Sequence, residues 1–122
     1  MAGRRVHSAV AAATVSLPQN GGTSYPASNS GWIGEISLDL DAVSALCPNC
    51  HILLVEAASS SLSDMSAADA RAAAVGANQI SDSWSGGSTN GIPGTHTFPG
   101  VATIVSSGDN GYVALSRRWA RW

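Results

Sequence analysis

Apolar positions along this chain change period several times, and each change marks an element. Ile36, Leu40, Val43 and Cys47 recur at i, i+4, i+7 and i+11. That spacing lays one apolar stripe along a helix over about 34–46, and Pro48 ends it. HILLVEA, residues 51–57, is a short unbroken apolar run. It predicts a strand buried on both faces. Residues 61–76 open with Ser and Asp and continue as AADARAAAVG, a second helix with Gly76 at its C′ position. NQISDSW, 78–84, reads as a second strand, and VATIVSSGD, 101–109, as a third that runs into a turn. Residues 20–31 and 85–100 are rich in Gly, Ser, Asn and Pro and read as loops.

Strand, helix, strand, long connection, strand is the pattern of βαβ units. The expected fold class is therefore α/β, a parallel β-sheet with flanking helices. Three strands with no later helix leave sheet edges and faces uncovered, so the expectation is an incomplete domain. It would span residues 18–113, with a poorly ordered or unrelated segment at 1–17 and a basic aromatic tail at 114–122.

Charge sharpens this division. The 122 residues contain no Lys, and the six Arg are Arg4, Arg5, Arg71, Arg117, Arg118 and Arg121. All eight acids lie between Glu35 and Asp109. An acidic middle argues against nucleic acid as a partner. No apolar run approaches the length of a membrane span. The opening MAGRRVHSAVAAATVSLPQ has a basic start, but its short Ala-rich stretch lacks the Leu, Ile and Phe of a signal peptide's apolar core. The closing RRWARW is basic and aromatic but short for a membrane-surface segment. The expectation is no membrane partner; oligomeric state is left open.

Three places could carry chemistry. Glu35 and Asp39 stand one above the other on the first helix. A carboxyl pair that shares a proton suits acid–base work at low pH, although a solvated face has the same pattern. SDSWSGG, 81–87, lies at the end of a strand, where α/β proteins place their sites. Its bare backbone could pair with an extended peptide, or form a flexible turn. SSGDNG, 106–111, brackets Asp109 with small residues at another strand end. A protonated Asp109 could donate to a developing oxyanion; an Asx turn is the plainer reading.

The order E-x-x-x-D, C-P-x-x-H-I-L-L-V-E-A, S-x-S-W-x-G and S-S-G-D-x-G-Y resembles the sedolisin family, the serine-carboxyl peptidases, over residues 20–112. The resemblance implies a subtilisin-like fold and a secreted endopeptidase that acts at acid pH through an acyl-enzyme. It implies that Glu35 is the general base and Asp39 the carboxylate that orients it. Asp109 would be the oxyanion-hole acid. Ser83, Trp84, Ser85 and Gly86 would hold the backbone of a peptide or protein substrate. The family's nucleophile lies in G-T-S-x-x-x-P downstream of the oxyanion acid, and no such segment follows Asp109. The family's calcium site lies near the end of the full domain and has no counterpart either. The expectation is a fragment, truncated or frame-shifted, with no peptidase activity alone and no cofactor of its own. A non-catalytic peptide-binding remnant is the alternative.

Other motifs compete. Gly22-Thr23-Ser24-Tyr25-Pro26 looks like a nucleophile motif, but its Pro is too close and it precedes Glu35. Gly94-Thr95-His96 resembles the subtilisin histidine motif, but Pro99 and Gly100 follow where a helix should begin. Cys47-Pro48-Asn49-Cys50-His51 matches the C-x-x-C-H of c-type haem attachment and half of a zinc site. A local disulfide or free thiols are the other readings.

Overall fold

The computed structural model describes residues 13–84 and 97–106. Among them run β1 (Ala13–Pro18), α1 (Ser30–Leu46), β2 (His51–Glu56), α2 (Leu62–Ala74), β3 (Gln79–Asp82) and β4 (Ala102–Val105). The class is α/β, with two helices and short parallel strands.

β1 and β2 pair in parallel, with Ala13 opposite His51 and Pro18 opposite Glu56. Parallel neighbours need a crossover, and α1 supplies it. The expected start of the domain near residue 18 therefore falls at the end of a paired strand. Pro18 sits at the last position of β1, where the N–H it lacks disrupts least. The chain then turns at Gly21, whose φ of 71° places it in the left-handed region, and Gly21 N–H donates to Pro18 O.

β3 and β4 form a second parallel pair, with Gln79 opposite Ala102 and Asp82 opposite Val105. The sequence predicts one parallel sheet of three strands. The described residues instead make two two-stranded sheets, β1–β2 and β3–β4. α2 bridges them by packing on both β2 and β3.

The ends of α2 are built from local chemistry. Ser61 caps it by accepting from Asp64 N–H, and Asp64 adds negative charge to the first turn. At the other end Gly76 N–H donates to Ala73 O and Ala77 N–H to Ala72 O, with Gly76 at φ 98°. That pair of bonds is a Schellman cap, and Gly76 occupies the C′ position expected from the sequence.

The core sits where α2 meets β3. Ala68, Ala72 and Ile80 are its buried apolar residues. Two alanines one turn apart let the helix approach the strand closely. No large side chain among the described residues is fully buried. Ile36, Leu40, Val43 and Cys47 are each half-buried, so the stripe exists, but it is covered only in part. Leu38, Leu46 and Ile104 stand exposed.

Candidate functional site

α1 begins earlier than its apolar stripe. Asn29 accepts hydrogen bonds from Gly31 and Trp32 N–H and starts the helix at Ser30. Glu35 and Asp39 then fall in its middle, one turn apart and both half-buried. The solvated-face reading is thus only half met, since a free face would expose both.

Ser83 lies one residue past the end of β3 and donates its hydroxyl to Asp39 Oδ1 at 2.6 Å. This bond ties the carboxylate helix to the strand end that carries the SDSW motif. Trp84 follows and is half-buried. Glu35 has no side-chain hydrogen-bond partner among the described residues, so the expected bond from Asp39 to Glu35 is not formed, and Asp39 is bonded by Ser83 instead. Ser83, expected at a substrate edge, spends its hydroxyl on the carboxylate. Ser85, Gly86 and Asp109 lie outside the described residues, as does the Gly94-Thr95-His96 motif.

Ser24 lines a shallow cleft of about 210 Å³ with Pro18, Gln19, Tyr25, Pro26 and Glu56. The cleft opens at the carboxyl ends of β1 and β2. Its carboxylate, Glu56, accepts the hydroxyl of Ser16, and Tyr25 donates to Ser16 O. Ser24 itself is exposed and has no side-chain hydrogen bond among the described residues. Among the described residues it is hydrogen-bonded to no base, which fits a turn residue better than a nucleophile.

Cys47 and Cys50 are joined in a disulfide. Sulfurs bonded to each other offer neither a thioether to haem nor a thiolate to zinc. No group of three His, Cys, Asp or Glu among the described residues is placed to hold a metal ion. No helix among the described residues is long and apolar enough to cross a membrane.

The most buried acids escaped sequence reasoning. Asp69 on α2 and Asp82 on β3 are 4 % and 7 % exposed, and their carboxyl groups are hydrogen-bonded to each other. A signal for one was present. β3 buries alternate residues, so Asp82 shares the inward face with Ile80. An acid in phase with a core residue is a buried acid.

No family model, curated protein or solved structure matches this chain.

Proposed function

We propose that this chain provides the carboxyl-side machinery of a serine-carboxyl endopeptidase of subtilisin-like fold. In this reading Glu35 is the general base, Asp39 its supporting carboxylate and Asp109 the oxyanion acid. Ser83 through Gly86 hold an extended peptide. The observation that carries it is the 2.6 Å bond from Ser83 to Asp39. It joins the acidic helix to the strand end where a substrate backbone would lie, as a site at the carboxyl edge of a parallel sheet requires.

The chemistry follows from the residue types. A glutamate can take a serine proton only while ionised, and an oxyanion acid can donate only while protonated. The two demands are met together at acid pH. The 122 residues contain no G-T-S-x-x-x-P segment after Asp109. The proposal therefore assigns this chain peptide binding without turnover. The Cys47–Cys50 disulfide supports an oxidising compartment outside the cytosol, as the family resemblance implies.

The test has two arms, both at about pH 4. A fluorescent peptide library is titrated against the chain and against Gly86→Val, which crowds the strand edge. Casein digestion is followed in parallel. Saturable binding weakened by the substitution, with no digestion, is the expected result. Digestion abolished by Ser24→Ala would instead make the Gly22–Pro26 motif the nucleophile. Absence of any saturable binding would remove the proposal.

A further inference from the structure

Asp69 and Asp82 face each other where α2 packs on β3. One sits on α2 and the other on β3, the two elements that also carry the buried apolar residues Ala68, Ala72 and Ile80. Two ionised carboxylates have no proton to share and cannot hydrogen-bond to each other. Side by side in an apolar site, both cannot ionise without a large cost.

We propose that Asp69 and Asp82 form an acid-closed lock: one shared proton holds α2 on β3 at acid pH, and its loss on neutralisation loosens that contact.

Among the described residues no cation is placed to relieve the pair. On α2, Arg71 is two residues from Asp69, a spacing that turns the two side chains to different faces. Its guanidinium lies beside Gly21, where an added Cβ would sit 3.0 Å from a guanidinium nitrogen. Its Nε has no acceptor among the described residues. Asp64, also on α2, is a second acid and is engaged by Ser59 and Gln19. β2 carries His51, which is exposed, and Glu56, which accepts from Ser16. β4 carries no titratable group. From α1, Asp39 reaches the end of β3 only through Ser83.

The sign of the effect is fixed by burial. Burial pushes the Asp69 carboxyl up to about 6, and its hydrogen bond to Asp82 opposes this only in part. An unfolded aspartate ionises near 3.8. Between these values the folded chain keeps a proton that the unfolded chain has released. Stability therefore falls as pH rises through this window, by about a hundredfold in the folding equilibrium. The lock does not depend on the peptidase reading. If both hold, the chain is most firmly packed where the carboxyl chemistry would operate.

Urea unfolding of the full chain from about pH 4 to about pH 7 tests the lock, with amide exchange of α2 and β3 followed alongside. The expected result is a fall of about a hundredfold in the folding equilibrium, with faster exchange in α2 and β3. Asp82→Asn should remove most of that fall, because a carboxamide can donate to an ionised Asp69. A fall in Asp82→Asn and Asp69→Asn as large as that of the unsubstituted chain would overturn the proposal. Should the variants not fold, ¹³C carboxyl NMR of the unsubstituted chain decides. One aspartate titrating above about pH 5 supports the lock, and all titrating below overturns it.

Discussion

The hydroxyl of Ser83 reaches Asp39 across 44 positions of chain and donates to its carboxylate at 2.6 Å. A hydrogen bond to a charged acceptor contributes about 1.5–3 kcal/mol, and partial exposure places this one near the lower end. Ser83→Ala should therefore destabilise the chain by about 1.5 kcal/mol, read from urea midpoints. Asp39→Asn should cost a similar amount. In a double-mutant cycle the two should couple by about 0.5–1 kcal/mol. Strict additivity would mean that the two side chains do not meet in solution, and the candidate site would lose its organising contact.

Gln19 braces three elements at once. Its carbonyl accepts from Ala58 N–H at 2.9 Å, and its amide donates to Asp64 Oδ1 at 3.1 Å. Gln19 N–H also donates to Glu56 O, continuing the β1–β2 ladder by one step. Gln19→Ala removes both side-chain bonds and should cost about 1–2 kcal/mol. The main-chain bond should survive, so the loss should come without a change of sheet content in circular dichroism.

Asp64 has a pH dependence opposite to that of Asp69. The Ser59 hydroxyl first, and then the Gln19 amide, hold its carboxyl below the ordinary aspartate range. An acid with a depressed folded value contributes stability above its unfolded value and loses it as pH falls through the folded value. Asp69 acts in the window above 3.8 and Asp64 in the window below it. Stability should therefore pass through a maximum in the acid range. In Gln19→Ala the Asp64 titration, followed by NMR, should move up toward the ordinary value. An unchanged midpoint would show that Ser59 alone sets it.

Much of this arrangement was legible in the sequence, and the gaps have physical causes. The stripe of Ile36, Leu40, Val43 and Cys47 marked α1 because periodicity survives even where burial is partial. The start of α1 was not legible, because Asn29 is equally at home in a loop and at a helix cap. β1 was missed because ATVSLP is short and ends in Pro. Its strand form comes from pairing with β2, which no local window contains. The split into two sheets is likewise a long-range matter. Within the site, E-x-x-x-D and SDSW were visible as separate motifs. That Ser83 turns its hydroxyl to Asp39 depends on how β3 and α1 meet. Asp69 gave no signal, since an Asp in an Ala-rich helix more often faces water.

The Asn29 cap offers a direct check on the helix start. Its side chain accepts from Gly31 N–H at 2.9 Å and from Trp32 N–H at 3.3 Å. Asn29→Ala should cost about 1 kcal/mol, while Asn29→Ser should be close to neutral. Helical content should fall with the alanine and recover with the serine. Equal loss in both would place the start of α1 nearer residue 34, as the apolar stripe alone suggests.

The disulfide closes the turn between α1 and β2 at a sequence separation of 3. Cys47 is also the C-cap of α1, with its N–H donating to Val43 O at 2.8 Å. The bridge thus fixes the point where the carboxylate helix hands over to the strand. A loop this short constrains the unfolded chain little, so replacing both cysteines by serine should cost about 2 kcal/mol. Alkylation of the native chain should add no mass until a reductant is present, and should then add two groups. The same preparation should show no haem absorbance, because neither sulfur is free to form a thioether. A chain that is alkylated without reduction would reopen the metal and haem readings of Cys47-x-x-Cys50-His51. It would also remove the disulfide as support for an oxidising compartment.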